Sequence, residues 1–116
     1  MQTEENRTEF YAGIMKLRDE ADKSLPEVAA AAVTVRDAVY KDGALSTKVK
    51  RLIAMGIALS LRCDPCIVGQ TKLAVEAGAT RQEVLEAASV LLAIHGTSGY
   101  GEIWQVVKVL EEMGVE

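Results

Sequence analysis

Two cysteines, one histidine and no basic stripe are the scarcities of this 116-residue chain. Two cysteines are too few for a disulfide framework, so a small stapled fold is not expected. Lysine and arginine number 13 against 17 aspartates and glutamates, for a net charge of -4. Binding to nucleic acid or an anionic membrane needs clustered positive charge. The basic residues here are scattered among acids, apart from "KVKR" at 48–51. No nucleic-acid or membrane partner is therefore expected. Long hydrophobic runs are missing too: "LIAMGIALSL" at 52–61 is the longest, about half of the ~20 residues of a membrane span. The opening "MQTEENRTEF" is polar and acidic, without the apolar centre of a signal peptide. A cytoplasmic location is expected, where thiols are normally kept reduced. No β-alternating segment, low-complexity tract or sustained heptad is present.

What is present is 49% hydrophobic residues and an ordinary 26% charged fraction, the composition of a globular domain. The length suits one domain over 1–116, with a proper core and no room for a second. Apolar residues recur at helical spacing along the whole chain. Phe10, Ile14, Leu17 and Ala21 form one stripe of a first helix, expected from about Glu4 to Lys23. "SLPE" at 24–27 reads as a capped start for a second helix, with Ser24 as N-cap and Glu27 closing the box. Val28, Ala32, Val35 and Val39 would be its buried face, and Gly43 suits a left-handed C-terminal stop.

Ser46 is expected to cap a third helix, about 47–62, which is apolar nearly all round: Val49, Leu52, Ile53, Ile57, Leu59 and Leu61. Such a helix belongs at the centre of the fold or in a subunit contact. Asp64 and Pro65 look like the N-cap and first residue of a fourth helix ending near Ala77 and Gly78. Thr80 and Glu83 form a capping box for a fifth, running to His95 and Gly96. "GTSGYG" at 96–101 reads as a loop, and a last helix over about 102–113 buries Ile103, Val106, Val107 and Leu110. The expected fold is an all-α bundle of about six helices with short loops, and its surplus of apolar surface points to a homo-oligomer.

Both cysteines lie in "RCDPCIVGQ", as Cys63 and Cys66, at the start of the fourth helix. Unpaired N–H groups there favour an anion, and CxxC motifs commonly lower a thiol pKa. A redox dithiol fits this position. A zinc site normally takes four Cys or His ligands, and the chain offers two cysteines and His95, so zinc would need ligands from another subunit. Two buried, unreactive cysteines remain the third alternative.

Residues 45–88, "LSTKVKRLIAMGIALSLRCDPCIVGQTKLAVEAGATRQEVLEAA", resemble the carboxymuconolactone decarboxylase family, specifically its alkyl hydroperoxidase D-like (AhpD-like) branch. The matching pieces are "LSTKVKRLI", "CDPC", "AVEAGAT" and "EVLEAA", within a motif core of 45–96. The resemblance implies an all-α fold assembled into trimers or hexamers, without metal or cofactor. It implies a thiol–disulfide, peroxiredoxin-type antioxidant activity that reduces peroxides or recycles a partner peroxiredoxin with a thiol reductant. It makes Cys66 the attacking cysteine and Cys63 the resolving one. The related decarboxylases generally lack the pair, so its presence favours the redox branch. A decarboxylase-like enzyme and a non-catalytic oligomeric binding protein are the alternatives.

The branch has a glutamate twelve residues before the first cysteine and a histidine four after the second. Arg51 and Gln70 occupy those positions here. Glutamine does not accept a proton at neutral pH, so the usual base is missing. Arg51 would favour thiolate if turned toward the sulfurs, and Gln70, one turn beyond Cys66, is placed to hydrogen-bond one. A disulfide becomes the favoured substrate over a peroxide. His95 falls on a stripe with Val84, Ala88 and Leu91 near a helix C-terminus, where the helix dipole favours it. It is a candidate supporting residue if it reaches the cysteines. Tyr100 and Trp104 are expected in the core or an interface.

Overall fold

Residues 5–116 are described by a computed structural model. Among them the chain forms six α-helices and one 3-10 turn, with no strand: α1 Arg7–Ser24, α2 Pro26–Tyr40, α3 Thr47–Leu61, α4 Asp64–Glu76, α5 Arg81–His95, the 3-10 turn Gly96–Gly99, and α6 Tyr100–Glu112. None of these helices is long and apolar enough to cross a membrane. The all-α expectation is met, and the helix starts show why. Ser46 Oγ accepts from the Val49 N–H, satisfying a first-turn donor of α3. The Thr80–Glu83 box closes in both directions at 3.1 and 2.9 Å. Lys48 on α3 donates to Glu83 at 2.8 Å, tying the starts of α3 and α5 together. That lysine first, and then the Thr80 N–H, hold the Glu83 carboxyl below its ordinary pKa. Asp42 is lowered in the same direction by the Thr47 N–H and hydroxyl.

Four helix boundaries differ from expectation. α1 runs through Ser24, so that residue is helical and Leu25 becomes the N-cap of α2, without a side-chain hydrogen bond. Pro26 in the first turn starts α2 without help from a cap. α2 ends at an extended Lys41, and Gly43 is not among the left-handed residues. Cys63, not Asp64, is the N-cap of α4. The glycine-rich stretch is a 3-10 turn that feeds α6 from Tyr100, because Gly99 packs on Leu91 and Leu92 too closely to leave an open loop. Glu4 lies outside the described residues.

α3 and α4 form the centre, joined by only two residues and packed closely on each other. Met55, Ala58 and Leu59 meet Ile67 and Ala74 across this hairpin, and Val84, Ala88 and Leu91 of α5 with Val106 and Leu110 of α6 complete the core. Each large apolar side chain buried there contributes about 1.5–3 kcal/mol. α1 and α2 depart from their expected roles. α1 buries only Arg7, and α2 buries nothing. Leu17, Val28, Val35 and Val39 are exposed, Val35 by 60%. The reason is topological: among the described residues α2 packs mainly along α1 and α3, and its valine face is left exposed. The radius of gyration, 14.6 Å, accordingly exceeds the ~13 Å of a compact chain of this length.

Candidate functional site

The site begins with the turn between α3 and α4. Arg62 takes a left-handed conformation, φ 55° and ψ 38°, at the end of α3. Its N–H reaches the Leu59 carbonyl at 3.1 Å, and the Cys63 N–H reaches Ala58 at 3.3 Å. This pairing closes a helix end and reverses the chain within two residues. Cys63 is then extended, its carbonyl accepting from the Ile67 N–H at 2.8 Å, and Pro65 sits in the first turn of α4. Cys63 and Cys66 come together with Cα atoms 5.1 Å apart and are joined as a disulfide. Cys66 is exposed and Cys63 half-buried. No side chain caps this helix, so its N-terminal positive charge acts on the groups of the first turn, the Cys66 sulfur and the Asp64 carboxylate among them.

Two clefts meet at Cys66. One, about 280 Å³, lies against α1 and is lined by Tyr11, Ile14, Met15 and Arg18. The other, about 250 Å³, is lined by Tyr40, Ala54, Ile57 and Leu61. Cys66 and Gln70 border both. Gly69 lets α1 approach: a Cβ there would overlap the Tyr11 ring. A larger apolar groove, about 440 Å³, lies between α3 and α5, with Ile53, Ile57, Val90 and Ile94 in its walls, and does not include the cysteines.

Arg51 and Gln70 are brought together. The Arg51 Nη1 donates to Gln70 Oε1 at 3.2 Å, and its guanidinium stacks 3.5 Å from the centre of the Tyr40 ring. Arg51 therefore spends its charge on an amide and an aromatic face, and Gln70 is fixed beside Cys66 rather than loose in solvent. His95 ends α5, exposed, with Nε2 3.4 Å from Ser60 Oγ. It lines neither cleft at Cys66. Tyr100 is 62% exposed, not in the core. Trp104 is half-buried, with Nε1 donating to the Gly101 carbonyl. Among the described residues no three His, Cys, Asp or Glu side chains converge as a metal site.

A polar chain behind the cysteines escaped the sequence reading. Gln105 on α6 donates from Nε2 to Asp64 Oδ1 at 2.9 Å and accepts from Arg7 Nη1 at 3.1 Å. Gln105 is 2% exposed and Arg7 3%. Arg7 is flanked by the Phe10 and Trp104 rings, and its Nη2 donates to Glu5. Glu112 accepts the N–H groups of Arg7 and Thr8, both at 2.8 Å, holding the start of α1 against the end of α6. A glutamine inside the apolar run of α6 was the one visible signal; nothing local marks Arg7.

An all-helical fold carrying a CxxC cysteine pair at a helix start defines the class, and comparison with known proteins gives the family. Residues 26–112 match the family model "Carboxymuconolactone decarboxylase family". A structure of a family protein from Legionella pneumophila superposes with a TM-score of 0.86 at 28% identity, covering 91% of this chain and 95% of that one. One from Thermotoga maritima gives 0.67 at 30% identity, over 74% and 89%. "Uncharacterized protein 4 in cox locus" of Paracoccus denitrificans is 32% identical over 100 residues, 80% of this chain and 90% of that protein. The chain belongs to the carboxymuconolactone decarboxylase family. The alkyl hydroperoxidase D-like branch is consistent with these matches and with the Cys63–Cys66 pair.

Proposed function

We propose that the chain is a thiol–disulfide oxidoreductase of the alkylhydroperoxidase-like type, with Cys66 as the attacking and Cys63 as the resolving cysteine. The observation that carries this reading is the placement of the pair. Cys66 lies exposed in the first turn of α4, where two clefts meet, and its more shielded partner is already within bonding reach. In the reduced protein the uncapped helix start favours the Cys66 thiolate. That thiolate attacks one sulfur of a substrate disulfide, and the other sulfur leaves as a thiolate. Cys63, losing its proton, then attacks the Cys66 sulfur and releases the second substrate thiolate. The enzyme ends as the Cys63–Cys66 disulfide and the substrate as two thiols. A thiol reductant resets the pair by the reverse exchange; a partner peroxiredoxin enters on the substrate side, as a disulfide to be reduced.

The Arg51–Gln70 pair supports a disulfide over a peroxide. When an O–O bond breaks, the leaving oxygen is strongly basic and needs a proton delivered. Neither Arg51 nor Gln70 gives or takes a proton near neutral pH. A thiolate leaves without such help, since its conjugate acid is far stronger. The uncovered valines of α2 and the apolar α3–α5 groove support a homo-oligomer as the working form, which the family resemblance makes a trimer or hexamer.

The test is titration of the pair in glutathione buffers, followed by turnover of a disulfide and of an organic hydroperoxide. We expect a reversible two-electron transition, faster disulfide than peroxide turnover, and loss of both in Cys66→Ser. Full activity in Cys66→Ser would falsify the reading.

A further inference from the structure

We propose that Gln105, braced by Arg7, is a positioning residue for the dithiol: it holds the Asp64 carboxylate against α6 and thereby sets how readily the Cys63–Cys66 disulfide is reduced. This rests on the oxidoreductase reading above. Asp64 lies between the two cysteines at the positive end of α4. A carboxylate there competes with the thiolate for the helix N-terminus, and like charge within a few ångströms disfavours the thiolate. Where that carboxylate points therefore matters to the sulfurs.

Its direction is set from α6. Arginine donates and never accepts, so the Arg7 Nη1 contact at 3.1 Å requires Gln105 Oε1 to face Arg7. The amide NH₂ must then face Asp64, as the 2.9 Å bond shows. Gln105 is 2% exposed, so both ends of its amide are shielded from bulk water. The amide is polarised from behind by a guanidinium and from the front by a carboxylate, and in a buried setting such linked bonds strengthen one another. One turn earlier on the same helix, Glu102 lies 3.9 Å from Arg62 Nε. α6 thus contacts the residues on both sides of Cys63. Two further carboxylates meet Arg7: Glu5 on its Nη2 at 2.8 Å and Glu112 on its backbone N–H at 2.8 Å.

Loss of the Gln105 donor frees the Asp64 carboxylate to turn toward the helix start. The thiolate is then disfavoured, and the equilibrium protein disulfide + 2 glutathione ⇌ protein dithiol + glutathione disulfide moves to the left. Removing the carboxylate moves it to the right. The experiment measures this constant in the full chain for wild type, Gln105→Met, Asp64→Asn and the double variant, together with the pH dependence of Cys66 alkylation. We expect Gln105→Met to lower the constant by about three- to tenfold, a tenfold change being ~30 mV, and to raise the pH at which Cys66 alkylates. Asp64→Asn should raise the constant by a similar factor. In the Asp64→Asn background, Gln105→Met should have no further effect.

An effect of Gln105→Met that persists undiminished without Asp64 overturns the proposal, because it reports packing alone. Should Gln105→Met not fold, Asp64→Asn decides by itself, since Asp64 is outside the core: an unchanged constant overturns the proposal. A wild-type pair that equilibrates with glutathione while both single variants match it removes this inference and leaves the oxidoreductase reading standing. A wild-type pair that never equilibrates removes both.

Discussion

α2 and α4 are helices of 15 and 13 residues with opposite fates. α4 buries Ile67, Val68, Gly69, Thr71 and Ala74; α2 buries nothing. Both carry an apolar stripe, so composition does not separate them. Position does. α4 is packed by α1, α3, α5 and α6, whereas α2 leans on the edges of two helices. An amphipathic stripe states that a face needs cover, without stating which molecule supplies it.

The sharpest test of that contrast is a truncation on each helix. Ile67→Ala should cost about 2–5 kcal/mol, read as a fall in the urea midpoint. Val35→Ala in dilute protein should stay within about 0.5 kcal/mol. Equal losses would break the comparison. Val35→Asp turns it around: the fold should survive, with its far-UV spectrum unchanged, while the mass in solution by light scattering falls toward a single chain. An unchanged mass would mean that this face of α2 is not covered by a second copy.

Smaller effects probe the covered block. Thr80→Ala opens the capping box of α5 and should cost about 1 kcal/mol. The two lowered carboxyls give a pH signature. Asp42 and Glu83 bind protons less readily when folded than when unfolded. Their contribution is therefore present above the ordinary carboxylate range and is lost as pH falls through and below it. Glu83→Gln should flatten the acid limb of a denaturation-midpoint profile, and a profile as steep as wild type would contradict this. The least effect is expected at Arg62. Glycine there removes a left-handed strain of about 1–2 kcal/mol, offset by ~0.4–1 kcal/mol of unfolded-chain entropy. A net gain of about 0.5 kcal/mol should follow; a destabilised Arg62→Gly would show that the contact with Glu102 matters more.

These residues also show what the sequence makes legible. Thr80, Glu83 and Gly96 bound α5 as expected because caps act within one turn, between neighbours in the chain. The cysteine pair is legible for the same reason. Gln105 with Arg7, 98 residues apart, and Arg51 with Gln70, 19 apart, are contacts between helices, and no local pattern encodes them. The α2 stripe has the periodicity of a buried face, yet periodicity does not say what lies opposite, and the structure leaves it exposed. The glycines of 96–101 suggest a loop, but Gly99 permits close packing on Leu91 and Leu92, and a 3-10 turn forms instead.

The bond between Asp64 and Gln105 spans 41 residues, and this has a consequence during synthesis. Chains leave the ribosome from the N-terminal side at about 5–20 residues per second. The α3–α4 hairpin is local in sequence and can form as soon as it emerges. Cys63 and Cys66 therefore emerge some seconds ahead of Gln105, before it can restrain the aspartate between them. A nascent chain and a finished one carry the same two sulfurs, and by this account they differ in how easily those sulfurs join.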